Sequence, residues 1–314
     1  MRRFLAGRIL LAVPTLIGVT VVVFVTVKLI PGDPVAAFLG PGAPAQARAE
    51  LAERLGLNAP VPGQYASWLA HAITGDLGVS IAGQRPVTEV LGAALGNTLV
   101  LAFAAFSLVV VGGALLGAAG AAFPGRWPGR SGDGLATLAL SAPQYAVALL
   151  LVAFVAVGTG VLPPGGMHDA ADPGGFGDLT AHLVLPATAA ALVPMGLTAR
   201  MFRATLTGLL GGEMVEHLRA RGLPERVVLL HAAHNAAPAL LTIGGLQLAY
   251  LVEGVVFVET IFSWPGLGHL LFTALSQRDL PVVQGGVLVV AVSFVGINLL
   301  VDTVHALIDP RVRR

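Results

Sequence analysis

The chain has 314 residues, 55% hydrophobic and only 11% charged, with a formal net charge of +1, no Cys and a mean hydropathy of +0.83. A water-soluble domain of this length needs far more charge on its surface, so the composition excludes a soluble protein and indicates a membrane one. The lack of Cys excludes disulfides, thiolate metal sites and cysteine nucleophiles.

A helix needs about 20 mostly apolar residues to cross a hydrocarbon core of roughly 30 Å. Six stretches qualify, and the first is 9–30. Its Met-Arg-Arg start and the small residues Val35, Ala36 and Ala37 imitate a cleaved signal. The apolar run is longer than a signal core, however, and the turn Pro31-Gly32-Asp33-Pro34 precedes the would-be site. That turn ends the helix at the membrane surface. Residues 31–97 form a polar section with Pro/Gly turns and a short amphipathic helix around 45–55. It is too poor in core residues for an independent domain and is expected to cap the outer face. The remaining spans are expected at 98–123, 135–158, 183–210, 236–262 and 283–308. Gly113 and Gly117 in the second form a small-xxx-small pair of the kind that lets helices approach closely in lipid, with a generally Gly/Ala-rich composition as the alternative explanation. Pro interrupts the third and fourth, which membrane helices tolerate when neighbours satisfy the freed backbone groups.

Arg and Lys set the orientation, because cytoplasmic flanks carry the positive excess. With the N-terminus inside, the inner segments hold Arg2, Arg3, Arg8, Arg126, Arg130, Arg200, Arg203, Arg219, Arg221, Arg226, Arg311, Arg313 and Arg314. Residues 159–182 contain Asp169, Asp172 and Asp178 and no basic residue, which places them outside. Both termini are then cytoplasmic. The single Lys, Lys28, follows no glycine-rich phosphate loop, so ATP chemistry would have to come from a partner.

One stretch departs from the apolar background. "EHLRARGLPERVVLLHAAHN", residues 216–235, lies between the fourth and fifth spans and holds Glu216, Arg219, Arg221, Glu225 and Arg226 with three histidines. The spacing predicts a polar helix over 213–221 with Met214, Val215 and Leu218 toward one side, so it can lie along the inner surface. Gly222 supplies a stop where φ > 0 is needed, and Leu223-Pro224 starts a new direction. His231 and His234, three apart, share a helix face, but no Cys or carboxylate supports them as a metal site.

Several stretches together resemble the permease subunit of the dipeptide, oligopeptide and nickel ABC importers. They are "LIPGDPV" (29–35), "GLNAPVPGQYASWL" (56–69), "GDLGVSI" (75–81), "ARGLPERVVLLHAAHNAAP" (220–238), "VETIFSWPGLGHLL" (258–271), "RDLPVVQG" (278–285) and "ALIDPRVR" (306–313). Their order and spacing over nearly the whole chain carry the resemblance. It implies an all-α integral membrane protein with the six-helix type I importer permease fold. It divides the chain into a tail with the first span (1–30), an extracytoplasmic section (31–97) and a core of five spans (98–314). In the core, a cytoplasmic coupling helix at 211–226 docks into a cleft of the ATPase.

The resemblance further implies that the chain forms half of a translocation pore in a bacterial inner membrane. It would pair with a second permease subunit and two ATPase subunits, and an extracytoplasmic substrate-binding protein would deliver the solute. No cofactor is expected on this chain, since ATP and Mg belong to the ATPases, and no metal or nucleic-acid partner is expected. The expected ATPase-coupling residues are Glu213, Glu216, His217, Leu218, Arg219, Ala220, Arg221, Gly222 and Leu223. Here Leu218 stands where the family has a small residue, Glu216 where it usually has Arg, and His217 where it usually has a small hydroxyl residue. These departures point to a matched change in the partner.

Polar groups within the spans give candidates for the translocation path, because in lipid they must face protein or water. Asn298 and Asp302, one helical turn apart, and Glu259 match the family pattern; Glu253 does not. Each has a packing explanation beside the path reading. An intramembrane enzyme would need a nucleophile with a base, and Ser141, Ser263 and the histidines show no such pairing. A self-sufficient secondary transporter would usually show internal repeats, and none is visible.

Overall fold

The computed structural model describes residues 2–29, 35, 39–40, 42–54, 58–169 and 174–308. The Pro31–Pro34 turn and the last six residues lie outside the described residues. Among the described residues the helices are α1 (Arg2–Leu29), α2 (Ala45–Arg54), α3 (Val61–Ile73), α4 (Val87–Ala122), α5 (Trp127–Ser141), α6 (Gln144–Leu150, widening to a π-helix over Leu151–Val157), α7 (Phe176–Leu210), α8 (Glu213–Ala220), α9 (Glu225–Ile261), α10 (Leu267–Ser276) and α11 (Leu280–Ile308). Among these, α1, α4, α7, α9 and α11 each contain a stretch long and apolar enough to cross a membrane. The protein is a multi-pass, all-helical membrane protein.

The third apolar stretch is not one straight helix. The helices α5 and α6 meet at an angle of 107°. The cause is local: Pro143 disfavours helical geometry in the residue before it, and Ala142 accordingly adopts φ −87° and ψ 126°. Pro186 and Pro194, by contrast, are carried inside α7 without a break. The helices also run longer than the apolar stretches, since α4 begins at Val87 and α9 at Glu225. Thus the polar stretch before the fifth span is partly a separate helix and partly the first turns of α9. Helix α3 has no counterpart in the sequence reading, whereas α2 falls where a short helix is expected.

Two compact units are distinguished. One comprises Asn97–His269 with Ile297–Arg314, and its core is Leu101, Ala105 and Val109 of α4, Ala148 of α6, Ala187, Ala189, Ala190 and Ala191 of α7, Leu251, Val255 and Val258 of α9, and Phe262 just after it. Close approach of α4 to α7 depends on glycine. A Cβ on Gly113 would lie 2.7 Å from Thr198 Cγ2, and one on Gly117 would lie 2.6 Å from the Ala199 carbonyl oxygen. The pair flagged by its spacing is therefore a real helix contact.

The other unit comprises Arg2–Gly96 with Leu270–Gly296. In it Asp279, buried at the turn before α11, accepts hydrogen bonds from Ser80 Oγ (2.5 Å) and from the Ile81 and Ala82 N–H groups (both 3.1 Å). This carboxylate satisfies the backbone of the turn closed by the Val79–Pro86 bridge. Two of the stretches behind the resemblance, 199 residues apart, are joined by this one group.

Candidate functional site

The short helix α8 is built to hold one orientation. Its first residue follows Gly212, which is extended at φ −90° and ψ 162°. Glu213 and Glu216 in the first turn and His217 and Arg219 in the last complement the helix dipole. At the far end the chain closes a Schellman motif: the Gly222 N–H donates to the Arg219 carbonyl (2.9 Å) and the Leu223 N–H to the Leu218 carbonyl (3.3 Å). Gly222 sits at φ +76°, as its position after the helix requires. Leu218 and Leu223, the positions at which this motif usually carries a hydrophobic contact, both pack on one cluster.

That cluster anchors α8 to the spans on both sides. Val215 is fully buried among Ala121 of α4, Phe202 and Leu206 of α7, and Val228, Ala232 and Ala236 of α9. Burying a valine contributes roughly 2 kcal/mol, and here it ties the helix to three long elements at once. Met214, expected on the same side, is 37% exposed, and its Sδ accepts from Asn235 Nδ2 of α9 at 3.6 Å.

The opposite face is polar and open, with Glu213, Glu216, His217, Arg219 and Ala220 all exposed. Arg219 is engaged within the chain. Its Nε donates to Glu225 Oε1 at 2.7 Å, and hydrogen bonding to that carboxylate holds the guanidinium above its ordinary pKa. Both side chains remain about half exposed, so the pair adds little stability but orients Arg219 toward the start of α9. Among the described residues Glu216 has no such tie, and its side chain is exposed. Arg221 is the helix C-cap, with its N–H bonded to the His217 carbonyl (3.1 Å).

The candidates for the translocation path separate. Glu259 has no exposed surface: its carboxylate accepts from Thr98 Oγ1 (2.6 Å) and from the N–H groups of Gly268 (2.6 Å) and His269 (3.4 Å). These bonds tie the carboxylate to the turn between α9 and α10. Asn298 and Asp302 are half-buried on one face of α11, and both have interaction partners. Glu253 lies within α9, and its side chain is outside the described residues.

Sequence reasoning missed a further charged pair. Arg203 of α7 bonds Asp133 of α5, and both line a cavity of about 310 Å³ with Leu116, Thr137, Leu140 and Arg200. A signal was available, since Arg203 falls within the expected stretch 183–210, where a charge near apolar surroundings calls for a partner. Asp133 lies just before the expected third span, 135–158, where a carboxylate needs no partner.

Comparison with known proteins extends over the entire chain. The model of the family described as "Binding-protein-dependent transport system inner membrane component" matches residues 110–314, and the N-terminal model of such membrane components matches residues 1–102. The chain is 36% identical over 314 residues to the glutathione transport system permease protein GsiC of Salmonella typhimurium, covering 100% of this chain and 99% of that one. It is 37% identical to the dipeptide transport system permease protein DppB of Alkalihalophilus pseudofirmus, covering 98% of both chains. Identity to DppB of Escherichia coli K12 is 35%, over 100% of this chain and 99% of that one.

Proposed function

Because the chain belongs to the binding-protein-dependent transport system inner membrane components and is a permease subunit of an ABC importer, we propose that it forms half of a pore for peptides or glutathione-like solutes and itself performs no chemistry. ATP and Mg are then handled by two ATPase subunits, and the pore is completed by a second permease. An extracytoplasmic binding protein delivers the solute. The names of the relatives, glutathione and dipeptide permeases, support the solute class.

The observation that carries the mechanism is α8, a short helix with one buried anchor, a closed C-terminal motif and an exposed polar face. Helix α8 leads directly from α7 into α9. An ATPase subunit that grips the exposed face can displace α7 and α9 together, because packed elements shift as units instead of deforming continuously. Substituting Glu216 with Arg tests the grip. The variant is expected to enter the membrane normally but to capture less of its own ATPase in copurification, since a charge on the open face is reversed while Val215 is untouched. Full capture would count against docking at this face.

The same reading places α8 and both termini in the cytoplasm and residues 159–182 outside. Single cysteines at Gly177 and Gly211 check this, since a Cβ at Gly177 meets nothing and one at Gly211 meets only ordinary contacts. In intact cells an impermeant thiol reagent is expected to label the first and spare the second. The reverse pattern would invert the topology.

A further inference from the structure

We propose that helix α3 is inserted among the lipid chains beside α1, in the leaflet at the Leu29 end of that span, and is not part of a water-exposed cap. The argument begins with depth. The stretch Leu10–Leu29 has 20 residues, so at about 1.5 Å per residue it spans the roughly 30 Å of hydrocarbon with nothing left over. Thr20 lies nine residues before Leu29, which places it about 14 Å below that end of the span. Yet the Tyr65 hydroxyl of α3 lies 2.8 Å from Thr20 Oγ1, which itself donates to the Ile17 carbonyl at 2.8 Å.

The contact is a row and not a single touch. Phe24, one turn above Thr20, meets the Tyr65 ring edge-on at 5.4 Å between centroids and the Trp68 ring at 6.0 Å. Higher still, the Lys28 ammonium donates to Gln64 Oε1 and lies 5.8 Å from the Phe24 ring centroid. Lys28 is the group expected to reach for the interface from the end of a span, and Gln64 meets it there. The burial of α1 agrees: Thr20, Val23, Phe24 and Val27 are buried, whereas no described residue between Leu10 and Val19 is.

The chemistry of α3 suits that depth. From Val61 to Ile73 it carries no Asp, Glu, Lys or Arg, while the ten residues of α2 hold Arg48, Glu50, Glu53 and Arg54. Tyr65, Trp68, Leu69 and Ala72 form the half-buried face, and Ala66, Ala70 and Ile73 form the opposite, exposed one, with Ile73 78% exposed. No residue of α3 is fully buried, so a helix of 13 residues would have little to hold it in water. Acyl chains against the Ala66–Ala70–Ile73 face supply the missing contact, and the Tyr and Trp rings sit on α1 below the headgroups.

The experiment is independent of what the transporter carries. The chain has no Cys, so nitroxide labels can be placed singly at Ala66, Ala70 and, as a reference on α2, Ala49, all exposed positions. With the full chain in phosphatidylethanolamine and phosphatidylglycerol vesicles, collision rates with oxygen and with a water-soluble nickel chelate are measured by electron paramagnetic resonance. The oxygen-to-nickel ratio is expected to be several-fold higher at 66 and 70 than at 49. Equal ratios at all three positions would put α3 in water, and low collision rates with both reagents at 66 and 70 would put protein on that face. Either result overturns the proposal.

Discussion

Gly222→Val is expected to leave the protein in the membrane and to cut substrate-stimulated ATP hydrolysis by the partner subunits at least about tenfold, where tenfold corresponds to 1.4 kcal/mol. Gly222 is held at φ +76° by the two hydrogen bonds that close α8, and a Cβ there would meet no atom within 4 Å. Within the chain a Cβ therefore has room at this position, and the cost inside the chain is backbone strain. An L-residue in the left-handed region costs roughly 1–2 kcal/mol, and a β-branched one more. Asn tolerates this region best among the non-glycine residues. The stimulated rate should accordingly fall in the order Gly, Asn, Ala, Val. Relief of the strain by opening the motif loosens the packing of Leu218 and Leu223 on their shared cluster, so α8 loses its fixed direction while Val215 still holds it near the spans. A series of four equal rates would remove α8 from the coupling path.

The parts of this arrangement differ in how far they could be read in advance, and the reasons are physical. The end of α8 was legible because a glycine before Leu-Pro allows few backbone solutions, and the structure has the stop at Gly222. The Gly113–Gly117 spacing was half legible: a Gly/Ala-rich composition explained it as well as a helix contact did, and the neighbours Thr198 and Ala199 decide for the contact. Other features depend on partners remote in the chain. Nothing near Asp279 says that it receives Ser80 Oγ and two amides from a turn 199 residues earlier. Nothing near Tyr65 says that Thr20 waits for it at mid-span. The bend at Pro143 was open to two outcomes, because Pro186 and Pro194 show that the same residue can be carried inside a helix. The role of Glu259 turned on Thr98, which belongs to a different span and has no local reason to be singled out.

Glu259→Ala is expected to destabilise the protein by about 3 kcal/mol or more, from unsatisfied groups that each cost roughly 1–3 kcal/mol. The carboxylate lies at the start of α10, where it serves as a long-range cap: Oε2 accepts from Gly268 and His269, and Oε1 from Thr98, whose oxygen accepts the Leu267 N–H at 2.8 Å. Removing it leaves two amides of the first turn and a hydroxyl without their acceptor in a site closed to water. The surrounding turn has no slack to collapse. Trp264 is fully buried with its Nε1 bonded to the Asn97 carbonyl (2.9 Å), and Asn97 Nδ2 bonds the Pro265 carbonyl (2.9 Å). Gly266→Ala should imitate the loss from the other side, since its Cβ would lie 2.1 Å from Glu259 Oε1 and force the carboxylate out. Glu259→Gln keeps one acceptor oxygen and should fall between wild type and Ala. The measurement is the thermal unfolding midpoint of the detergent-purified protein, taken alongside uptake. A residue that lines the path instead would change uptake in the Gln variant and leave the midpoint of the Ala variant where it was. A cap lowers the midpoint in the order Gln, then Ala, and lowers uptake only in proportion to the folded fraction.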